Sequence, residues 1–307
     1  MSDYWSQYWR QGHLTSFGED IADNYEGSLK NVWQGLFTGF NAQDRVLDIG
    51  TGNGALVSLI HNELEVANYP YISAVDLAEI NVNQDVKDKS SKTEFIDYTN
   101  CEQLPFAQQS FSYVISQFGI EYSKLSLSLA QIAKVLKIGG KCQFVCHHPD
   151  SIIVKPNVAI LKASIDLRSS KGGFTLLQEL LVELYKNGRG SPKSEKLRAK
   201  LNKYIGTNIE KNNEAFQATN FPLLVKTIFQ QMNDKLLQQK IIAQFKQELA
   251  GSIERLSDLS RAALSKDKLN TIKACCSKLG LEIENISTVY DEQDQILATK
   301  INLISNN

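Results

Sequence analysis

The 307-residue sequence predicts an α/β fold built on a doubly wound, mostly parallel, seven-stranded sheet with a helical insertion after the fifth strand. Three observations predict it. Short apolar strands alternate with helices up to about residue 148, three glycines join the first strand to its helix, and strand patterns resume after residue 265. Nearly all-apolar strands separated by helices are typical of a parallel sheet covered on both faces. Ligands of such sheets bind at the carboxyl ends of the strands.

The individual strands and helices follow from apolar runs and their periodicity. The predicted strands are RVLDIG (45–50), YISAVDL (71–77), TEFID (93–97), FSYVISQF (111–118), KCQFVCHH (141–148), LEIENISTVYD (281–291) and QILATKINLIS (295–305). The predicted helices that flank them are ALVSLIHNEL (55–64), LSLAQIAKVL (127–136) and DKLNTIKACCSKLG (267–280).

Between the fifth and sixth strands the sequence is predicted to be helical. Five leucines of one segment fall on a single helical face and are expected to form a core: Leu176, Leu177, Leu180, Leu181 and Leu184. A longer amphipathic run covers residues 221–249. Ser191 followed by Pro192 has the pattern of a helix start, with the serine as N-cap.

These patterns divide the chain into four segments. They are an N-terminal helical lid (1–40), a core that binds a cofactor (41–150), a helical insertion on the substrate side (151–262), and a terminal helix with a strand hairpin that completes the core (263–307). An insertion of this length is too long to be a structureless loop.

Composition is that of a globular protein, with 42% hydrophobic residues and a formal net charge of −1. The sequence has no N-terminal basic and apolar leader and no apolar run of the length that crosses a bilayer, so we expect a cytoplasmic protein without a membrane partner. The five cysteines lack zinc-binding spacing, so we expect reduced thiols and no metal.

The charge is unevenly distributed along the chain. Residues 1–150 hold 10 Lys and Arg against 18 Asp and Glu, whereas residues 151–262 hold 18 against 10. Internal neutralisation is the first explanation, an anionic small-molecule ligand the second, and an acidic carrier protein or a nucleic acid the third. Nucleic acid is disfavoured because the chain has a pI near 6.5 and no interleaved aromatic residues in its basic run.

The glycine cluster Gly50, Gly52 and Gly54 lies where the first strand turns into a helix. Glycines here permit positive φ and close approach of a ligand to backbone N–H groups. The cluster also satisfies the dinucleotide pattern G-x-G-x-x-G/A, so glycines alone leave an NAD-dependent oxidoreductase as an alternative. Asp48 opposes that alternative, because a carboxylate at this strand end would repel a pyrophosphate and would suit an ammonium group. Asp76, at the end of the second strand, would accept both hydroxyls of a ribose.

The stretch VLDIGTGNG (46–54) resembles motif I of the class I S-adenosylmethionine-dependent methyltransferases of the type 11-like group. Residues 97–123 resemble the family's adenine loop and fourth strand, and QIAKVLKIGGKCQF (131–144) resembles its helix, GG turn and fifth strand. The resemblance implies a Rossmann-like fold, S-adenosylmethionine as cofactor and methyl transfer as activity. A methyltransferase-like binding protein without turnover is the non-enzymatic alternative.

The resemblance also implies roles for individual residues. Cofactor-binding residues would be Asp48, Gly50, Gly52, Gly54, Asp76, Leu77, Asn100, Cys101, Gln117 and Phe118. Leu77 would lie beside the adenine, and Gln117 and Phe118 would touch the methionine portion. Asn100 stands where the family usually has an aspartate, so either Asn100 or Asp97 is expected to accept from the adenine amino group.

Aromatic residues crowd the N-terminal segment: Tyr4, Trp5, Tyr8, Trp9 and Phe17. Preceding segments of this family often fold over the cofactor, where rings attract the sulfonium charge. The alternative is a helix that its rings attach to the sheet.

Methyl transfer from a sulfonium is an in-line displacement and needs no protein nucleophile. The candidate catalytic residues are His147 as a general base, with Glu121 and Tyr122 orienting the acceptor. His148 is the second candidate base, and a solvated or capping role is the alternative for both histidines. A small-molecule acceptor enclosed by the helical insertion is expected. The acceptor's identity, the methylated atom and the oligomeric state stay open.

Overall fold

The structure is a computed structural model that describes residues 4–16, 24–232 and 234–306. The chain divides into two compact units. The sheet unit comprises residues 1–154 and 261–307, and the helical unit comprises residues 155–260.

The sheet unit contains seven strands. They are β1 (Arg45–Ile49), β2 (Tyr71–Val75), β3 (Thr93–Ile96), β4 (Phe111–Gln117), β5 (Leu136–His147), β6 (Leu281–Tyr290) and β7 (Ile296–Ser305). Their order is β3-β2-β1-β4-β5-β7-β6, and β7 is antiparallel to both of its neighbours. The predicted doubly wound, mostly parallel sheet is therefore confirmed. The order reverses beside β1, so the ends of β1 and β4 face the crevice where ligands of such sheets bind.

Eleven helices lie in the described residues. They are α1 (Tyr4–Arg10), α2 (Gly27–Phe37), α3 (Ala55–Glu63), α4 (Gln84–Asp88), α5 (Leu125–Val135), α6 (Val154–Arg168), α7 (Gly173–Asn187), α8 (Pro192–Gln217), α9 (Phe221–Gln230), α10 (Lys235–Ala262) and α11 (Lys266–Leu279). Two of these helices have residues at their ends that favour helix starts or stops. Ser265 caps α11 and Gly280 ends it in the left-handed conformation, while Gly54 precedes α3.

Two apolar clusters cover the sheet. Helices α5 and α11 contribute Leu129 and Ile272 to one cluster, and α2 and α3 contribute Trp33 and Ile60 to the other. Neighbouring strand residues alternate between the clusters, because successive side chains of a strand point to opposite faces. The sheet is thus covered by apolar side chains on both faces.

The helical unit has an apolar cluster of its own. All five predicted leucines of α7 belong to it, Leu177, Leu180 and Leu181 being buried and Leu176 and Leu184 partly buried. Their predicted role in a core is confirmed. Ser191 is the N-cap of α8, as predicted, with its hydroxyl accepting from the backbone N–H of Ser194 at 3.0 Å.

The amphipathic run over 221–249 is helical and is divided between α9 and α10. The carboxylate of Asp234 accepts from the backbone N–H of Leu237 at 2.8 Å and so caps a new helix. Periodicity alone does not reveal such an interruption, because the apolar stripe continues on both sides of it.

The five cysteines are free thiols; Cys142, Cys146 and Cys276 are buried, and Cys101 and Cys275 are partly buried. In the part of the chain that the structure describes, no helix is both long enough and apolar enough to cross a bilayer.

Candidate active site

The loop between β1 and α3 holds the predicted glycines in a conformation that other residues rarely adopt. The φ angles of Gly50, Gly52 and Gly54 are +71°, +52° and +89°. A Cβ on Gly50 would lie 2.7 Å from the Cα of Gly119, so the loops after β1 and β4 are in backbone contact. The backbone N–H of Gly50 donates to the carbonyl of Val75 at 2.9 Å, which holds the turn against β2.

Asp48 lies in β1, just before this loop, and its side chain is 1% exposed. Within the described residues neither of its carboxylate oxygens has a hydrogen-bond partner. Burial raises the pKa of Asp48 to about 7; the nearby hydroxyl of Thr51 opposes this shift, and the charge of Asp76 adds to it. A buried carboxylate without a partner is costly, so a ligand that brings a positively charged donor would be bound here.

Two further polar groups beside Asp48 lack partners among the described residues: the hydroxyl of Thr51 and the amide nitrogen of Gln117. The amide oxygen of Gln117 accepts from the indole nitrogen of Trp33, which fixes the orientation of the side chain. Asp48, Thr51 and Gln117 line one cavity, to which Trp9 and Phe118 also contribute. The cavity therefore offers a carboxylate acceptor, a hydroxyl and an amide donor to a ligand.

Asp76 follows β2 and is tied to the glycine loop. Its carboxylate accepts from the backbone N–H of Gly52 at 2.9 Å and from that of Ala78 at 2.8 Å. Burial raises its pKa, although these backbone donors lower it. The half-buried carboxylate is thus held in place with lone pairs left for a hydroxyl. Leu77, beside it, is also half-buried.

The predicted adenine residues lie on the turn after β3. Asn100 is exposed, and its amide oxygen accepts from the backbone N–H of Glu102 at 2.9 Å. Cys101 is partly buried, with its sulfur 3.5 Å from the hydroxyl of Ser128. Asn100 therefore stabilises its own turn, and contact of Asn100 or Asp97 with an adenine stays a prediction.

Helix α1 covers the glycine loop. A Cβ on Gly52 would lie 2.7 Å from the indole of Trp9, so that ring fills the space the glycine leaves. Trp9 stacks on Trp5 with ring centres 6.1 Å apart, and Trp5 meets Tyr122 edge-on at 5.7 Å. These rings attach the helix to the site, as the alternative interpretation expected. Phe17 lies outside the described residues.

The ends of β4 and β5 bring three predicted residues together. Phe118 adopts a φ of +55°, rare for a bulky residue, and its ring stacks on His147 at 4.3 Å. Tyr122 meets His147 edge-on at 5.9 Å. Burial lowers the pKa of His147 to about 3, so its ring is neutral at ordinary pH.

The two candidate bases differ in their surroundings. His147 is 2% exposed, so the solvated alternative is wrong for it. The ring Nδ1 of His148 accepts from the backbone N–H of Asp150 at 3.0 Å, which matches the capping alternative. The sequence does not distinguish them, because both stand at the end of the same predicted strand.

Glu121 lies beneath the ring pair and is 1% exposed. Its Oε1 accepts from the backbone N–H of His147 at 2.8 Å, and its Oε2 has no hydrogen-bond partner among the described residues. Burial raises its pKa to about 7. The Nζ of Lys268 donates to the backbone oxygen of Glu121 at 3.3 Å. The site thus holds a second buried carboxyl, next to the aromatic rings.

Sequence reasoning missed several residues of this site. Thr51 and Asn53 stand at the variable positions of the glycine loop, where an acceptor or donor could have been noticed. Trp33 and Lys268 come from distant helices and carry no local signal. In residues 4–16, 24–232 and 234–306 no group of three His, Cys, Asp or Glu side chains could hold a metal ion.

Comparison with known families identifies the domain that carries this site. Residues 47–144 match the family model described as a methyltransferase domain. This part of the chain is therefore a methyltransferase domain. The match covers β1, the glycine loop and most of β5 and therefore includes Asp48, Asp76 and Gln117. S-adenosylmethionine is the cofactor that the sequence resemblance implies for this domain.

Two curated relatives are similar to part of the chain. The chain is 27% identical over 121 residues to the ubiquinone/menaquinone biosynthesis C-methyltransferase UbiE of Xylella fastidiosa, covering 38% of this chain and 48% of the relative. It is 25% identical over 152 residues to UbiE of Bartonella bacilliformis, covering 45% and 58%. The chain spans about half the length of the curated relatives it matches.

Among solved structures, the chain is similar to phosphoethanolamine N-methyltransferase 2 of Haemonchus contortus in complex with S-adenosyl-L-methionine. The TM-score is 0.40 and the identity 15%, over 99% of this chain and 57% of that one.

The unpartnered polar groups of the methyltransferase domain fit its cofactor. The amino-acid end of S-adenosylmethionine carries an ammonium, which suits Asp48, and a carboxylate, which suits the amide nitrogen of Gln117. A pyrophosphate would instead meet the carboxylate of Asp48 with like charge, whereas the ribose of either cofactor could use Asp76. The donor set therefore opposes the NAD alternative.

Proposed function

We propose that this chain is a methyltransferase that moves a methyl group from S-adenosylmethionine to a small-molecule acceptor. The observation that carries the proposal is the buried carboxylate of Asp48, which has no partner among the described residues and lines a cavity with two other unpartnered polar groups. A buried carboxylate is stabilised by a paired cation, and the ammonium of the cofactor supplies that cation.

Each cofactor-binding residue has one task in this proposal. Asp48 accepts from the ammonium, Gln117 donates to the carboxylate, and Asp76 accepts from the ribose hydroxyls. The positive φ angles of Gly50 and Gly52 allow the backbone to approach the ligand. When bound, S-adenosylmethionine supplies the methyl group as part of a sulfonium.

The acceptor side of the site is formed by aromatic rings. The ring of His147 contacts those of Phe118 and Tyr122, and Phe118 also lines the cofactor cavity. They exclude water and present flat apolar faces, which favours alignment of an in-line displacement. The ring of His147 is neutral, and a pKa lowered to about 3 makes it a weak proton acceptor unless a bound acceptor changes its surroundings. Glu121 holds the backbone of His147 in place.

We assign the selection of the acceptor to the helical insertion. The chain enters α6 only seven residues after His147, so this insertion begins at the acceptor end of β5. A helical cap of this kind would enclose a small molecule. Both curated relatives are named as C-methyltransferases, so an acceptor with an electron-rich carbon belongs in any screen.

The basic residues of α8 support an anionic acceptor only in part. Lys193 pairs with Glu183 at 3.2 Å and Arg198 pairs with Glu195, so two of the basic residues are neutralised within the helical unit. Lys196, Lys200 and Lys203 are exposed. Internal neutralisation stays the first explanation, attraction of an anionic small acceptor the second, and docking of an acidic carrier protein the third.

Thermal-shift titration tests the proposed cofactor. S-adenosylmethionine and its demethylated product S-adenosylhomocysteine should both raise the melting temperature, and NAD should not. Stabilisation by NAD alone would overturn the assignment. A screen of metabolites for formation of S-adenosylhomocysteine then tests turnover. Saturable cofactor binding with no turnover over a broad screen would favour the binding-protein alternative.

A further inference from the structure

Asn53, the variable residue between Gly52 and Gly54, makes three hydrogen bonds to backbone groups. Its amide nitrogen donates to the carbonyls of Trp9 at 3.0 Å and His13 at 2.7 Å. Its amide oxygen accepts from the backbone N–H of Asn81 at 2.7 Å. The side chain is 2% exposed, so these bonds are shielded from water. One buried side chain thus connects the glycine loop to α1 and to the segment after β2.

The chemistry of these bonds requires an amide. Two donors and one acceptor are used at the same time, and Asn is short enough to remain inside the glycine loop. An aspartate would keep the acceptor but would place its second oxygen against the carbonyls of Trp9 and His13. An alanine would leave three backbone groups without this partner.

The segment held by Asn53 is the one that covers the cofactor site. Trp9 packs on Gly52 and lines the same cavity as Asp48. The backbone N–H of Gly52 donates to Asp76, the predicted ribose-binding residue. The glycine on which Trp9 packs is therefore bonded directly to that residue.

Other contacts of α1 are more exposed. Arg10 pairs with Glu79 at 2.7 Å, with both side chains 39% exposed or more, and exposed ion pairs contribute little. Ser6 accepts from the backbone N–H of Glu79 at 3.1 Å. Asn53 and Trp9 thus make buried contacts that hold α1 on the glycine loop.

We propose that Asn53 is a latch that holds α1 closed over the cofactor site and thereby sets how fast the cofactor enters and leaves. This inference rests on the proposed function for the identity of the ligand. The three bonds of Asn53 join parts of the protein and do not touch the ligand. Weakening them favours the open position of α1 in the empty and the loaded protein alike.

The latch predicts a specific kinetic pattern. In Asn53→Asp, the association and dissociation rate constants of S-adenosylhomocysteine should both rise about tenfold, with the dissociation constant changed by less than about threefold. A residue that only shapes the site would raise the dissociation rate and leave association unchanged. Stopped-flow tryptophan fluorescence measures both, because two of the three tryptophans, Trp5 and Trp9, lie on α1. Arg10→Ala is the matched control and should change both rates by less than about twofold.

Hydrogen exchange supplies a test without ligand. Amide exchange over residues 4–13 should be faster in Asn53→Asp than in the wild type, while α5 is unchanged. Faster exchange throughout the sheet unit would instead indicate general destabilisation and would overturn the latch. So would unchanged exchange over residues 4–13, or a rise in the dissociation rate alone. If the wild type binds neither sulfur nucleoside, the proposed function fails, and this exchange comparison still decides whether Asn53 holds α1.

Discussion

The ring of His147 stacks on the ring of Phe118, with centres 4.3 Å apart and planes inclined by 18°. Phe118 also lines the cavity that contains Asp48, so this ring pair joins the cofactor side of the site to the end of β5. The left-handed φ of Phe118 is costly for a bulky residue, and such strain is concentrated at functional sites. In the proposed function, the pair marks the boundary between the cofactor and its acceptor.

Asp48→Asn should stabilise the ligand-free protein and abolish cofactor binding. The folded pKa of about 7 lies above the ordinary value of 3.8, so the native state holds a proton that the unfolded chain releases between about pH 4 and pH 7. Wild-type stability contributed by this group is thus lost as pH rises through that window. Above it, the amide of the substituted protein avoids a penalty of up to about 4 kcal/mol.

Denaturant unfolding at pH 5 and pH 8 measures this effect. The free energy of unfolding of Asp48→Asn should exceed that of the wild type by more at pH 8 than at pH 5. The exposed Asp85→Asn substitution is the control, and its difference from the wild type should be the same at both pH values. A wild type that is equally stable relative to Asp48→Asn at both pH values would contradict the buried, unpaired carboxylate.

Gly50→Ala should destabilise the protein more than Gly139→Ala. Both glycines have nearly the same φ, +71° and +73°, so both substitutions incur the left-handed penalty of about 1–2 kcal/mol. A Cβ at Gly50 would also lie 2.7 Å from the Cα of Gly119, whereas a Cβ at Gly139 has nothing within 4 Å. Urea unfolding of the two variants measures how much the backbone contact adds to stability. Equal losses in the free energy of unfolding would show that the loops after β1 and β4 can separate without cost.

His147→Ala should lower turnover with little change in cofactor affinity if the acceptor is a hydroxyl that must lose its proton. His148→Ala, which removes only an exposed turn contact, should retain turnover. Because the pKa of His147 is lowered to about 3, its ring stays neutral from pH 6 to pH 8 and should add no pH dependence there. Full activity of both variants in a saturating assay would eliminate a histidine base.

Charge reversal in α8 tests the anionic acceptor. Lys196→Glu and Lys200→Glu should lower the second-order rate with the best acceptor, and added salt should lower the wild-type rate because it screens exposed charge. Lys211→Glu, which is exposed on the same helix outside the basic cluster, is the control. A rate that responds to neither salt nor the two reversals leaves internal neutralisation as the explanation of the basic residues.

The sequence by itself determined the sheet and the cofactor loop. Period-two and period-3.6 apolar patterns are local, and the positive φ angles of Gly50, Gly52 and Gly54 follow from the chemistry of a residue without a Cβ. Asp48 and Asp76 were predicted from an equally local signal, because each is a carboxylate at the end of a predicted strand. The division of residues 221–249 into α9 and α10 was missed, since a capping aspartate does not interrupt the apolar stripe.

Only the tertiary structure decided which polar groups are left without partners and which are engaged. Trp33 orients Gln117 from 84 residues away, and Asn53 reaches Trp9 across 44 residues. The two neighbouring histidines differ because of burial. His147 is neutral and enclosed by rings, whereas His148 caps a turn. Hydrogen bonds and desolvation between distant segments depend on how the chain packs, and no local pattern encodes them.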